Sequence, residues 1–155
     1  MRKDDKFVSD AGLIESILNR GLVCRIGLCA KGQPYVVPMN YAFQDDTLYL
    51  HSGPEGKKID YIRQNPKICF EVDLDVELVP GERPCKWGMK YRSVVGLGKA
   101  EILEERQAKR EALNYLIEKY TREEGQQLNT DSLEFVTVIK VDISELTCKQ
   151  VSYPQ

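Results

Sequence analysis

The sequence is poor in the residues that build metal sites. It has one histidine and five cysteines, and no two cysteines stand at the C-x-x-C spacing of a zinc ligand pair. Cys24 and Cys29 lie five positions apart, so on one strand they would point to opposite faces and could not hold one ion. We therefore expect no metal site, and we interpret the cysteines as reduced and mostly buried thiols.

Excess charge of one sign and long apolar runs are also missing. Lys and Arg total 22 against 24 for Asp and Glu, which gives a formal net charge of −2. This near-balance provides no general attraction to nucleic acid or to an anionic membrane. The longest uncharged stretch, between Lys31 and Asp45, contains prolines and polar residues and is no membrane span. The first six residues lack the apolar region of a signal peptide, so we expect a cytoplasmic protein.

Complete motifs for nucleotide binding and hydrolysis are absent. The segment Gly53-Pro-Glu-Gly-Lys-Lys58 has two residues between its glycines, where a Walker A motif has four. Gly96-Leu-Gly98 begins a dinucleotide fingerprint, but Glu101 takes the place of its third glycine. Ser52 follows His51, and neighbours on a strand point to opposite faces, so the two do not form a nucleophile–base pair. Hydrolytic chemistry has no support.

The most informative segment that is present, residues 48–66, reads as a strand, a glycine-rich turn and a helix. Gly53 and Gly56 interrupt the strand, and Lys57 and Lys58 open the helix. A helix start has unpaired N–H groups and a partial positive charge, which favour an anion such as a phosphate. Two lysines in that turn are an electrostatic cost unless an anion binds there. The segment predicts an anion site, against the commoner alternative of a solvated lysine pair.

The hydrophobic pattern predicts one domain of strands with few helices. A chain of 155 residues can bury roughly two-thirds of the surface that it exposes when unfolded. Apolar residues at helical spacing predict helices near residues 10–20, 56–65 and 105–120. Alternation predicts six strands, at residues 22–30, 35–43, 67–72, 91–103 and 134–143 and one ending at His51. Such strands, joined mostly by short turns, indicate a closed or split antiparallel barrel.

Three strand faces are specified by alternation. The first strand should bury one side, formed by Leu22, Cys24, Ile26 and Leu28. In the last strand, Phe135 should share a face with Thr137, Ile139 and Val141. A third face is acidic and carries Glu71, Asp73, Asp75 and Glu77. It could bind a cation, but we expect a solvated surface because no other ligand-type residue recurs nearby.

Several segments together, in this order, resemble one known family. They are Pro34-Tyr-Val-Val-Pro38, His51-Ser-Gly-Pro-Glu-Gly-Lys-Lys58, Asn65-Pro-Lys-Ile-Cys-Phe-Glu71, Glu77-Leu-Val-Pro80, and Tyr91-Arg-Ser-Val94 with Gly98-Lys-Ala-Glu101. The chain resembles the flavin-binding split-barrel proteins related to pyridoxamine 5′-phosphate oxidase, and more closely their nitroimidazole-resistance (Nim-type) branch. The resemblance implies a single domain over residues 1–155, with a six-stranded antiparallel split β-barrel and peripheral helices.

The resemblance further implies a homodimer that binds FMN in a cleft between two barrels. Lys57 and Lys58, with Ser52, match the positions that hold the FMN phosphate. Backbone contacts to the flavin ring are expected from the early hairpin strand, at Val37, Pro38, Met39 and Asn40. Further cofactor contacts are expected from Arg92, Ser93 and Val94, although Ser93 stands where the oxidases often carry Gln.

The same resemblance suggests an activity. His51 matches a histidine that acts near the flavin in Nim-type proteins, and we take it as the catalytic candidate. Tyr41, Trp87 and Tyr91 could stack on an aromatic substrate, or they could belong to the core. The final Tyr153-Pro-Gln155 is not the arginine-rich ending of the true oxidases, which argues against pyridoxamine phosphate as substrate.

Two classes of function remain. The first is an FMN-dependent reductase that takes electrons from a nicotinamide donor and passes them to a small electron-poor acceptor, such as a nitroaromatic or a quinone. The second is a non-enzymatic flavin- or haem-binding protein. Some relatives bind haem or a deazaflavin instead of FMN.

Overall fold

The fold is built on one antiparallel sheet, seen in a computed structural model that describes residues 7–121 and 130–151. In chain order the elements are β1 (Phe7–Val8), α1 (Ala11–Arg20), β2 (Cys24–Ala30), β3 (Gln33–Met39), β4 (Tyr41–Gln44), β5 (Thr47–Ser52), α2 (Lys57–Gln64), β6 (Lys67–Val79), β7 (Gly88–Leu103), α3 (Arg106–Thr121) and β8 (Thr137–Val151). Short 3₁₀ turns lie at Pro84–Lys86 and Thr130–Phe135.

The sheet is not closed, as a split barrel requires. Its strand order is β3-β2-β6-β7-β8-β5-β4, and β1 pairs with β8 outside this path. The two edges, β3 and β4, follow one another in the chain and are separated only by Asn40. The predicted mainly-β split barrel is confirmed, with eight strands in place of six.

The predicted strand 35–43 is divided at Asn40 because the chain changes neighbours there. Met39 is the last residue to pair with β2, opposite Cys24. Tyr41 is the first to pair with β5, opposite Leu50. Local alternation continues through the break, so the sequence pattern alone does not reveal it.

The inward faces of the strands form the main core. Cys24, Ile26 and Leu28 are buried as predicted. Leu22 was wrongly assigned to this face: it precedes β2 and is 63 % exposed. The main core also takes in α1 through Ile17 and Leu18.

A second, smaller cluster lies between the sheet and α3. It contains Ala42, Ala112, Leu113, Leu116, Leu133 and Val138. The three predicted helices are therefore present, and α1 and α3 each bury an apolar stripe against the sheet. The Asp10 side chain begins α1 by accepting a hydrogen bond from the Leu13 N–H at 3.1 Å.

The end of β6 and the start of β8 differ from the bounds that the sequence predicts. β6 continues to Val79 because it pairs with β7 throughout, with a bulge between Leu74 and Glu77. β8 begins at Thr137, because the preceding residues form a 3₁₀ turn. Phe135 lies in that turn and is 73 % exposed, so its predicted place in the last strand, on one face with Thr137 and Ile139, is wrong.

The acidic face of β6 is neutralised by basic side chains. Arg25 forms ion pairs with both Glu71 and Asp73. Asp75 accepts from Arg20 and Arg92, each at 2.7 Å. Glu77 lies 3.4 Å from Lys90. These carboxylates keep 24–62 % of their side-chain surface exposed, so the predicted solvated face is present, and it takes the form of a line of surface ion pairs.

None of the helices in residues 7–121 and 130–151 has the length and apolar character needed to cross a membrane.

Candidate functional site

The turn between β5 and α2 brings a hydroxyl and an ammonium group together. Lys58 Nζ donates a hydrogen bond to Ser52 Oγ at 3.0 Å. Ser52 is buried, with 7 % exposure, and Lys58 is half-buried. A positive charge is thus held at the end of β5, next to the first turn of α2.

The start of α2 offers backbone N–H groups to this position. Its N-cap residue is Gly56, which has φ of 136° and so adopts a conformation that suits glycine. Within residues 7–121 and 130–151, no side chain caps this helix start, and a Cβ built on Gly56 or Gly53 would meet nothing within 4 Å. The N–H groups of Ile59 and Asp60 donate to the Gly56 carbonyl at 2.9 Å and 3.1 Å, so those of Lys57 and Lys58 are the ones that a helix start leaves without a partner in the helix. The site therefore combines open space, N–H donors and one lysine.

The neighbouring Lys57 points to a different part of the molecule. Its Nζ lies 4.5 Å from the ring centroid of Tyr35 on β3 and 5.4 Å from that of Tyr61 on α2. The two rings pack edge to face, with centroids 5.4 Å apart. The structure brings Lys58 to Ser52 and Lys57 to β3, so the two lysines occupy different sides of the helix start.

Tyr35 and Tyr61 were not among the residues that the sequence singled out. The contact of Tyr61 with Lys57 could have been predicted from the sequence, because the two residues are four apart on one helix and so lie on one face. The contact of Tyr35 with Lys57 could not, because Tyr35 belongs to a strand 22 positions earlier and only the fold brings it to the helix.

The predicted ring-binding strand β3 is an edge of the described sheet. It pairs with β2 along one side, and no described strand pairs with its other side. Val37 and Met39 turn into the core, whereas Pro38 and Asn40 are exposed. A ligand at this edge would therefore meet backbone N–H and C=O groups rather than the side chains of Val37 and Met39.

His51 faces the opposite side of β5 from Ser52. It pairs with Val138, which belongs to the smaller cluster under α3. The imidazole is half-buried, and its Nδ1 atom is buried without a hydrogen-bond partner among the described residues. A buried polar atom without a partner costs about 1–3 kcal/mol. The histidine is thus oriented away from Lys58 and toward the smaller cluster.

Arg92, Ser93 and Val94 lie far from Ser52 within one chain. Ser52 pairs with Thr137 and Arg92 with Gln150, which are thirteen positions apart on β8. Thirteen residues of strand span about 40 Å. Val94 is fully buried, and the Arg92 Nε–H donates to Gln150 at 2.9 Å. Within one subunit, Ser52 and Arg92 therefore align with opposite ends of β8.

The three aromatic substrate candidates differ in exposure. Tyr41 is fully buried, and its hydroxyl donates to the Leu18 carbonyl at 2.6 Å. Burial raises the pKa of this hydroxyl well above its usual value. Tyr41 is a core residue and cannot stack on a substrate here. Trp87 is 51 % exposed, with its indole N–H donating to the Gly81 carbonyl at 2.9 Å, and Tyr91 is half-buried on β7.

Solved structures with the same fold include a protein assigned to 5-nitroimidazole antibiotic resistance, from Bacteroides thetaiotaomicron. It is 36 % identical, with a TM-score of 0.82, and the match covers 92 % of this chain and 85 % of that one. A FAD-binding protein of Mesorhizobium loti is 27 % identical, with a TM-score of 0.69 and coverage of 95 % and 98 %.

Sequence comparison agrees with the structural likeness. An uncharacterised protein of Rhizobium meliloti (strain 1021) is 38 % identical over 58 residues, which are 37 % of this chain and 38 % of that protein's length. The family model for pyridoxamine 5′-phosphate oxidase matches residues 10–150, and hence nearly the whole described sheet with its three helices. The chain therefore belongs to the pyridoxamine 5′-phosphate oxidase family.

Proposed function

We propose that the protein is an FMN-dependent reductase that works as a homodimer. The observation that carries this proposal is the Ser52–Lys58 pair beside the uncapped start of α2. A hydroxyl, an ammonium group and helix N–H groups are the donors that a phosphate accepts from. The likeness to a FAD-binding protein supports a flavin, and the open turn around Gly53 and Gly56 leaves room for its phosphate.

The flavin ring would lie against the free edge of β3, near residues 37–40. Backbone N–H and C=O groups there would orient the ring by hydrogen bonds, which do not depend on the inward side chains. Bound FMN supplies two-electron transfer from a nicotinamide donor to an acceptor. The 36 % identity to a protein assigned to nitroimidazole resistance favours a nitroaromatic acceptor, and a quinone is chemically similar.

His51 is proposed as the residue that donates a hydrogen bond or a proton in this reaction. Imidazole is the side chain whose charge ordinarily changes near neutral pH. The partnerless Nδ1 atom supports this assignment, because a hydrogen bond to a ligand would remove the cost of leaving it buried and unpaired. The alternative is a histidine that only packs beside the cofactor.

The outward face of the sheet is the surface proposed to contact the second subunit. Val36, Val95 and Leu97 are exposed on it, at 63 %, 38 % and 44 %. The register aligns Val36, Gly27, Cys69 and Leu97 across four adjacent strands. Arg25 pairs with both Glu71 and Asp73 on this face and so offsets part of their negative charge. A two-fold interface must complement itself, and a face with apolar side chains at its centre can do so.

A shared site also supports the homodimer. Arg92 pairs with a position on β8 that is thirteen residues from the partner of Ser52, and we infer that Arg92, Ser93 and Val94 contact a flavin at Ser52 from a second copy. Trp87 and Tyr91, on or near the same part of β7, would then approach the substrate from that copy as well.

A visible spectrum of the purified protein tests the proposal. We expect flavin bands, an increase in bound FMN on reconstitution, and anaerobic bleaching by a nicotinamide donor followed by recovery with a nitroaromatic or quinone acceptor. A Soret band would instead establish haem binding. Flavin bands without bleaching would support the non-enzymatic binder, and binding of neither chromophore would contradict both.

A further inference from the structure

A cavity of about 520 Å³ lies between α3 and the strands β5, β7 and β8. The register places Tyr49 and Glu101 on either side of Lys140, across these three adjacent strands. Helix α3 covers this row with Ala112, which is buried, and Tyr115. Pockets that bind small molecules commonly have volumes of roughly 300–1,000 Å³, so this cavity is large enough for one.

Two tyrosine rings form part of the cavity wall. The ring centroids of Tyr49 and Tyr115 are 5.2 Å apart, and the ring planes are inclined by 40°. Burial raises the pKa of the Tyr49 hydroxyl, so this side chain is uncharged near neutral pH. An uncharged aromatic ring packs against apolar groups and attracts a cation over its face. This part of the wall therefore suits an apolar body or a cation.

The rest of the wall carries more negative than positive charge. Four glutamates line the cavity: Glu101, Glu104, Glu105 and Glu111. Lys140 is the single basic side chain among the described residues that line it, and its Nζ is paired at 2.9 Å with Asp142, outside the lining. A concave surface with an excess of carboxylates concentrates cations and repels anions.

The four carboxylates differ in the partners they already have. Glu105 accepts from the backbone N–H groups of Gln107 and Ala108 at 2.8 and 2.7 Å, at the start of α3. Glu111 accepts from the Gln107 side chain at 3.0 Å.

Glu101 and Glu104 are exposed and form no ion pair within the part of the chain that the structure describes. They are the two carboxylates of the lining that a cationic ligand can pair with.

We propose that this cavity binds a small organic ammonium ion that carries an apolar or aromatic body. The body would pack against the rings of Tyr49 and Tyr115, and the ammonium group would pair with Glu101 and Glu104. Ser52 and Lys58 do not line the cavity, and its carboxylates would repel a flavin phosphate. The proposal therefore goes beyond flavin binding and does not depend on it.

Three probes that share a phenylpropyl body separate the contribution of charge from that of the ring. They are 3-phenylpropylammonium, the uncharged 3-phenylpropanol and the anionic 3-phenylpropanoate. Each is titrated into the full-length protein at pH 7, and binding is followed by backbone amide chemical shifts. We expect the ammonium probe to bind at least about fivefold more tightly than the alcohol, with shifts centred on the start of α3. The carboxylate should not bind.

Glu101→Gln combined with Glu104→Gln removes two charges and keeps the size of both side chains. This double variant should bind the ammonium probe roughly three- to tenfold more weakly and the alcohol as well as the parent does. Glu118→Gln is the matched control, because Glu118 is exposed on α3 but does not line this cavity, and it should change neither affinity. Tyr115→Leu should weaken the ammonium probe roughly two- to fivefold, whereas Tyr115→Phe keeps the ring and should not.

Three results would overturn the proposal: equal affinities for the three probes or binding of none, an unchanged affinity in the double glutamine variant, or displacement of the ammonium probe by FMN. Flavin binding is measured separately on the same samples. A protein that binds the ammonium probe as expected but no flavin would contradict the proposed reductase and leave this site intact.

Discussion

The two lysines at the start of α2 have different neighbours, and their contributions to cofactor binding should differ. Lys58 contacts Ser52, whereas Lys57 lies over Tyr35 and Tyr61. A charge-assisted hydrogen bond is worth about 1.5–3 kcal/mol, or roughly ten- to a hundredfold in affinity. Lys58→Ala should therefore weaken FMN binding by that factor, and Lys57→Ala should weaken it less.

Riboflavin provides the control for this comparison because it lacks the phosphate. Isothermal titration should show that both single variants bind riboflavin about as well as the parent does. The double variant, Lys57→Ala with Lys58→Ala, should lose the preference for FMN. If that preference persists, the phosphate binds elsewhere.

His51 permits a test of proton donation at the residue scale. His51→Gln keeps much of the side-chain shape and a hydrogen-bond donor but removes the imidazole as a proton donor. With saturating FMN, we expect the variant to reduce the acceptor more slowly than the parent does, while binding FMN about as tightly. Equal rates in the two proteins would mean that His51 has a structural role only.

Lys119 should make folding stability depend on pH in a defined direction. Its pKa is lowered to about 8 in the folded protein by burial. In the unfolded chain it is near 10.4. Between these values the unfolded state binds more protons, so the contribution of Lys119 to stability is least favourable below pH 8 and rises up to about pH 10.4.

Lys119→Met removes that titration and keeps an unbranched side chain that is one atom shorter. Urea unfolding of parent and variant at pH 7, 8.5 and 10 should show the parent gaining stability relative to the variant as pH increases. A difference that stays constant across this range would mean that Lys119 keeps its ordinary pKa in the folded state.

At the scale of elements, the end of α3 holds the point where the chain crosses from β3 to β4. The Tyr120 hydroxyl accepts from the Tyr41 backbone N–H at 2.9 Å and donates to the Leu22 carbonyl at 2.6 Å. Tyr41 is the first residue after the break at Asn40. The Tyr120 hydroxyl therefore links α3 to the loop between α1 and β2 and to the start of the edge strand β4.

Tyr120→Phe should destabilise the protein by about 1–3 kcal/mol, because it leaves the Tyr41 N–H without its partner. Urea denaturation measures this change. Tyr115→Phe is the matched control on the same helix, since Tyr115 contributes its ring to the pair with Tyr49 and should lose little stability. Equal effects of the two substitutions would mean that the hydrogen bonds of the Tyr120 hydroxyl do not stabilise the protein.

Element type was largely predictable, whereas several bounds were not. Strong apolar periodicity predicted α1, α2 and α3 to within two residues of their observed bounds, and local alternation predicted the buried face of β2. The extension of β6 to Val79 depends on its pairing with β7, a partner distant in sequence. Alternation is local information, and strand pairing is not.

At the scale of the whole molecule, the outward sheet face should decide the oligomeric state. Stable homodimer interfaces commonly bury ~2,000 Å² or more in total. Leu97→Lys would place a charge on this face in each subunit, opposite Glu145 within its own sheet. We expect analytical ultracentrifugation to show a parent dimer and a Leu97→Lys monomer with weakened flavin binding.

Leu22→Lys is the control for added charge, because Leu22 is 63 % exposed in the loop between α1 and β2. That variant should remain a dimer. A parent that sediments as a monomer at micromolar concentration while retaining flavin would contradict the shared site.

The sequence by itself determined the mainly-β class and predicted an anion site at the start of α2, because both depend on short-range patterns. Alternation indicates strands, and a glycine-rich turn followed by Lys57 and Lys58 indicates a helix start that favours an anion. These signals lie within about ten residues of one another, so no knowledge of distant contacts is needed to interpret them.

Only the tertiary structure decided where those side chains point. It directed Lys58 to Ser52 but Lys57 to Tyr35, buried Tyr41, and separated Arg92 from Ser52 along β8. It also neutralised the acidic face of β6 with Arg20 and Arg25, which lie about 50 positions earlier. Each of these outcomes depends on contacts between residues remote in sequence, and local periodicity carries no information about them.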